Sequence, residues 1–172
     1  MRKQIKTKQI ATYGLLVALA FILSYVESLF PLPIPVPGIK LGLANLVVIT
    51  ALYSMGVKEA FSLSVIRIIL TGFTFGSPST MIFSLAGGLF SWLMMAVFKK
   101  TRLFSFVGVS IIGGISHNIG QIVTSIFIVE NINIIYYLPF LLISGIITGT
   151  VIGILGALII KRLRITKGWE NG

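Results

Sequence analysis

With 172 residues, 56% of them hydrophobic and 10% charged, and a mean hydropathy of +1.03, the chain has too little polar surface for a soluble globule and reads as one integral membrane domain, residues 1–172. The formal net charge of +10 sits in short clusters beside apolar runs, not on a folded polar domain, which argues against a nucleic-acid partner and for contact with an anionic leaflet. Absence of cysteine excludes disulfides and thiolate metal sites, and the four acids are all glutamates, Glu27, Glu59, Glu130 and Glu170, too scattered for magnesium-dependent diphosphate chemistry.

The basic segment MRKQIKTK leads into the first apolar run, Ile10 to Phe30. Its layout is that of a signal peptide, but Ala18 and Ala20 lie inside the apolar run, so retention as the first span is expected. Ala11, Gly14 and Ala18 recur at three- and four-residue spacing, a stripe that permits close approach of another helix. Because it lies in the inner half of the span, it is the candidate docking face for a partner. Pro31, Pro33, Pro35 and Pro37 then alternate with apolar residues up to Gly38, an extended and stiff segment that serves either as a lid or as a rigid connector.

The second run, Ile39 to Met55, carries Lys40 and Asn45 at its mouth, placed to hold an anionic or carbonyl group, although an interfacial Lys also snorkels. Arg67 interrupts the third run, Ala60 to Phe75, and the fourth runs from Thr80 to Phe98. The fifth, Phe104 to Val129, contains His117, Asn118 and Gln121, with His117 and Gln121 one turn apart on one face. Gly145, Gly149 and Gly153 form a GxxxGxxxG pattern in the sixth, Ile132 to Ile160, which predicts internal helix packing.

Six crossings from a cytoplasmic N-terminus place every Lys and Arg except Lys40 and Arg67 on the cytoplasmic side, with both termini there. At 1.5 Å per residue Arg67 lies roughly 13 Å from the inner face, His117, Asn118 and Gln121 roughly 20 to 27 Å, and Glu27 roughly 25 Å. The ionisable and amide groups therefore gather from the midplane outward. An arginine near the bilayer centre costs about 2.5 to 3.5 kcal/mol on the insertion scale, so Arg67 requires either a polar cavity or a structural partner such as Glu27. His117, Asn118 and Gln121 are either further cavity groups or interhelical hydrogen-bonders. No cofactor or metal site is expected, and without a GxxxxGK[ST] loop ATP acts only through a partner.

The basic start leading into IATYGLLVALAFILSYVES, the segment PLPIPVPGIKLGLANLV, VIRIILTGFTFGSP and GGISHNIGQ together resemble a small membrane family called heptaprenyl diphosphate synthase component I, or the Gx transporter family. The layout also resembles the substrate-binding S components of energy-coupling-factor (ECF) transporters. The resemblance implies an all-α, six-transmembrane-helix bundle in a bacterial plasma membrane, with an outward cavity capped by the first loop. It further implies a small-molecule solute, and docking of Ala11, Gly14 and Ala18 to a transmembrane coupling protein driven by two ATPases. Under this reading Arg67, His117, Asn118, Gln121, Glu27, Lys40 and Asn45 are the candidate solute-binding residues and the chain is not an enzyme. The alternative is a non-catalytic membrane accessory subunit of a heptaprenyl diphosphate synthase in isoprenoid biosynthesis; a self-sufficient oligomeric carrier is a third class.

Overall fold

A computed structural model describes residues 2–30 and 42–169, with side chains described at 7, 9–30 and 42–162. The proline segment expected to act as a lid or connector, and Lys40, lie outside the described residues. Among those residues the chain forms six α-helices: α1 Arg2–Ser28, α2 Asn45–Ser54, α3 Val57–Thr74, α4 Pro78–Thr101, α5 Phe106–Val129 and α6 Leu138–Trp169. A 3₁₀ turn at Ile132–Tyr137 precedes α6.

Local chemistry sets the helix ends. Ser77 caps α4 by accepting from the Thr80 N–H at 3.2 Å, and Pro78 follows it, where its missing donor costs nothing. Ser105 caps α5 through the Gly108 N–H at 3.2 Å. Gly56, at φ +140°, makes the sharp break between α2 and α3 that a side chain would strain.

Two elements depart from the expected segments. The second apolar run yields a helix of only 10 residues, about 15 Å long and half of the hydrocarbon layer. Gly42 takes φ +85°, and the Asn45 and Leu46 N–H groups close tight turns onto the Gly42 and Leu43 carbonyls at 2.8 and 3.1 Å, so α2 begins only at Asn45. The sixth run divides because Pro139 has no N–H and is tolerated only in the first turn of a helix. The residues before it form the 3₁₀ turn and tuck Ile134 into the bundle. At both ends the helices continue past the apolar runs into the basic clusters, where Lys, Arg and Gln are good helix formers.

Cross-helix contacts fix the alternation of directions. Tyr13 shares a 2.6 Å hydrogen bond with Ser62, while Tyr25 packs on Phe75 at the other end, so α1 and α3 run parallel. Asn45 lies beside Ser91 and Lys99 donates to the Leu52 carbonyl at 2.6 Å, so α2 parallels α4. On α6 the expected glycine pattern packs internally. Cβ atoms added at Gly145, Gly149 and Gly153 would meet Gly114 C at 3.0 Å, Ile111 Cα at 2.7 Å and Val107 Cα at 2.8 Å, a descending series that makes α5 and α6 antiparallel at backbone contact.

Ala20, Val47, Val48, Ile49, Leu52, Leu63, Met95 and Val109 form the main apolar core, reinforced by Tyr13, Trp92, Phe98 and Phe106. A smaller cluster of Phe83, Ile122, Ile134 and Leu141 closes the opposite end of α4, α5 and α6. Large apolar side chains cover the outside, among them Ile10, Leu15 and Ile22 on α1, Phe73 on α3, Phe127 on α5 and Ile143, Ile147, Ile154 and Leu158 on α6. Lipid satisfies such a surface; water does not. Among the described residues four helices are long and apolar enough to cross a bilayer, which makes this an all-α, multi-pass membrane protein.

The glycine contacts set up a contrast. Gly149→Leu is expected to destabilise the bundle by about 1–3 kcal/mol or more through overpacking against α5. Gly14→Leu should leave stability unchanged, because nothing lies within 4 Å of a Cβ there. Thermal unfolding of the two variants in mild detergent checks both outcomes.

Candidate functional site

The glycine pair of α4, Gly87 and Gly88, brings α3 and α5 to one level of the bundle. A Cβ at Gly87 would stand 2.7 Å from the His117 carbonyl, 2.8 Å from Gln121 Cγ and 3.1 Å from His117 Nδ1. One at Gly88 would stand 3.0 Å from Ile68 Cδ1, 3.3 Å from Ser64 Oγ and 3.7 Å from Arg67 Nη2. Arg67 on α3 and the polar face of α5 therefore flank the same turn of α4.

The short start of α2 closes the cluster from another side. A Cβ at Gly42 would lie 3.1 Å from Asn45 Nδ2 and 3.5 Å from His117 Nε2, so the turn preceding α2 rests directly on the imidazole. Glu27 of α1 accepts a hydrogen bond from the Gly42 N–H, tying the end of the first helix to this turn. Asn45 Nδ2 reaches Ser91 Oγ at 3.5 Å, the long limit of a hydrogen bond.

Arg67 is 4% exposed. Its Nη1 donates to Ser24 Oγ of α1 at 3.3 Å, and Glu27 is its attractive charge partner. Arg67 is thus buried among polar groups of α1 and α3, with the charge of Glu27 acting on it. Gln121 is 0% exposed, and neither its Nε2 nor its Oε1 has a hydrogen-bond partner among the described residues. Burying an amide without partners costs about 1–3 kcal/mol, so these atoms are candidates for contact with a bound molecule.

Asn118 has turned to another task. Its Nδ2 donates to the Leu141 carbonyl of α6 at 2.5 Å, beside the point where Gly145 meets Gly114. That side of the amide joins helices, as the second reading of Asn118 anticipated. Its Oδ1 has no partner among the described residues.

The cluster thus gathers Glu27, Asn45, Arg67, His117 and Gln121, with Asn118 at its α6 border. Ser24, Ser64, Gly42, Gly87 and Gly88 belong to it without having been singled out in the sequence. Ser24 and Glu27 share a helix face at three-residue spacing, as do Ser64 and Arg67, and that spacing was the available signal. Among the described residues no group of three or more His, Cys, Asp or Glu side chains could hold a metal ion.

The stripe of Ala11, Gly14 and Ala18 is exposed along α1 and makes no contribution to the core. Its geometry leaves room for another backbone to approach.

The pattern of the family described as heptaprenyl diphosphate synthase component I matches residues 16–159. A solved structure of the S component of a bacterial ECF transporter superposes with a TM-score of 0.72, covering 94% of this chain and 98% of that one at 20% sequence identity. No curated protein sequence matches the chain. The matched span runs from the first helix through most of the sixth, so the chain belongs to the heptaprenyl diphosphate synthase component I family and has the fold of an ECF S component.

Proposed function

We propose that the chain is the solute-binding S subunit of an ECF-type transporter in a bacterial plasma membrane, with both termini cytoplasmic. The observation that carries this reading is the buried cluster of Arg67, Glu27, Asn45, His117 and Gln121 inside a bundle of S-component fold. A purely structural core of this size gains little from a guanidinium and an amide with unmet hydrogen bonds. A subunit that must recognise a polar solute needs such groups.

In this reading the solute enters from the outer side and is held by Arg67, Gln121, Asn45 and His117, with Glu27 and Asn118 setting the walls. The chain itself performs no covalent chemistry. A transmembrane coupling protein docks on the Ala11, Gly14 and Ala18 face, and two ATPases bound to it supply the energy that this polypeptide has no phosphate loop to extract. Close helix approach at small residues is the physical basis for docking at that face.

The family description favours a second reading, a membrane accessory subunit of a prenyl diphosphate synthase. The lack of any Asp argues against catalysis by this chain but is compatible with assistance to a soluble catalytic partner.

Gentle-detergent purification of the tagged protein from its native membrane separates the two. Co-elution of a membrane protein with two ATPases is the expected result; co-elution of a soluble subunit rich in Asp clusters would replace it with the second reading. Gly14→Leu is expected to abolish recovery of the coupling protein while the variant stays folded, and undiminished co-elution would remove the stripe from the docking surface. For Arg67→Gln, membrane insertion and partner recovery should persist. Small molecules released by denaturing the purified subunit should fall by about ten-fold or more relative to the unaltered protein, the scale of one charge-assisted hydrogen bond. Loss of folded protein would instead make Arg67 a packing residue.

A further inference from the structure

The unmet groups around Arg67 narrow the chemistry of the solute. A guanidinium presents its Nε and Nη2 hydrogens along one edge, at the spacing of two oxygens in a carboxylate or phosphate group. In this chain Nη1 is committed to Ser24 Oγ at 3.3 Å. Nε and Nη2 are buried and have no hydrogen-bond partner among the described residues. Glu27 attracts the guanidinium through its charge and accepts from the Gly42 N–H.

A second group lies alongside. Ser64, one turn before Arg67 on the same face of α3, is 0% exposed, and its Oγ also has no partner among the described residues. Ser64 Oγ and Arg67 Nη2 both border Gly88, at 3.3 and 3.7 Å from where its Cβ would be. The position is close-packed, with Ile68 Cδ1 at 3.0 Å from the same point, so Gly88 brings the hydroxyl and the guanidinium to one spot of the bundle, and a ligand group reaching them displaces the Ile68 side chain. Two unmet guanidinium N–H groups, one of them beside Gly88 together with an unmet hydroxyl, are the donors an oxyanion needs.

Resting on the solute-capture reading, we propose that the solute carries a two-oxygen anionic group, a carboxylate or a phosphate. That group seats on the Nε and Nη2 edge of Arg67, with Ser64 Oγ donating to the same group. Gln121 then meets a neutral polar part of the solute through its free amide.

The test uses the full chain in nanodiscs of zwitterionic phosphatidylcholine, where no anionic headgroup competes, with benzoate, phenyl phosphate and benzamide as probes. Benzoate or phenyl phosphate is expected to raise the thermal unfolding midpoint saturably, and benzamide, similar in shape to benzoate but uncharged, is not. Whichever anion responds identifies the group as carboxylate or phosphate. Arg67→Lys, which keeps the charge and removes the paired edge, should weaken the response about ten-fold. The proposal is overturned if neither anion stabilises the protein, if benzamide matches benzoate, or if Arg67→Lys binds as well as the unaltered chain. Should Arg67→Lys fail to fold, the comparison of benzoate with benzamide on the unaltered chain still decides. A failure here with ATPases still co-eluting would leave the S-subunit reading standing with a neutral solute. Loss of the co-elution would remove that reading itself.

Discussion

A guanidinium held in the interior of a membrane bundle is the constraint on which the arrangement around it depends. Transfer of Arg67 into lipid costs about 2.5–3.5 kcal/mol even on the most permissive scale. The fold answers with polar groups from several helices: Ser24 and Glu27 from α1, Ser64 from α3 itself, and the amide-bearing face of α5 across Gly87 and Gly88. Only part of the guanidinium's hydrogen-bonding capacity is met by these neighbours. The remainder gives the cluster its chemical character, because an unmet donor in a low-dielectric interior interacts strongly with whatever acceptor reaches it.

Backbone contact at glycine makes that arrangement possible. With apolar lipid outside, helices in a membrane gain little from hiding apolar surface and associate through close packing and hydrogen bonds. Gly114 against Gly145, with Gly149 and Gly153 against α5, draws α5 and α6 together. Gly120 and Gly87 do the same for α4 and α5, where Cβ atoms would meet Ala86 O at 2.9 Å and His117 O at 2.7 Å. A wider spacing between α4 and α5 would leave His117 and Gln121 distant from Arg67. The same contacts therefore serve stability and site geometry, and substitutions at Gly87 act on both.

Hydropathy and charge placement revealed the number of helices and their alternation, because lipid imposes one requirement along the whole chain and the basic clusters recur at every second turn. They did not reveal that α2 is half a helix. Leu41, Leu43 and Ala44 before Asn45 are as apolar as the residues after it, and the break depends on the positive φ of Gly42 and the turn that follows, which hydropathy does not register. Depth counting placed Arg67 near the midplane and Glu27, His117 and Gln121 further outward. It was silent on azimuth, so the divided allegiance of Asn118 to the Leu141 carbonyl appeared only with the helices in place. Ser24 and Ser64 were hidden for a different reason: a serine in a membrane helix ordinarily bonds back to its own backbone, as Ser125 does to the Gln121 carbonyl at 2.7 Å.

The position of the cluster relative to the main apolar core bears on how any solute would pass. Val47, Val48, Ile49 and Leu52 on α2, with Leu63, Met95, Val109 and the rings of Tyr13, Trp92 and Phe106, fill the bundle on the side of the basic clusters. Lys99 caps the Leu52 carbonyl and lies 4.8 Å from the Tyr53 ring centroid, closing the same end. A polar solute in the cluster would face close-packed side chains there, and opening a path through them would mean separating α2 from α4 and α5 against most of the buried apolar surface. Movement of side chains alone does not achieve that. On the proposed solute-capture reading, inward release would call for a rearrangement of whole helices, or of the whole subunit within the membrane. On the same reading, a partner docked on the exposed face of α1 would drive such a change without dismantling the α4, α5 and α6 contacts that hold the cluster together.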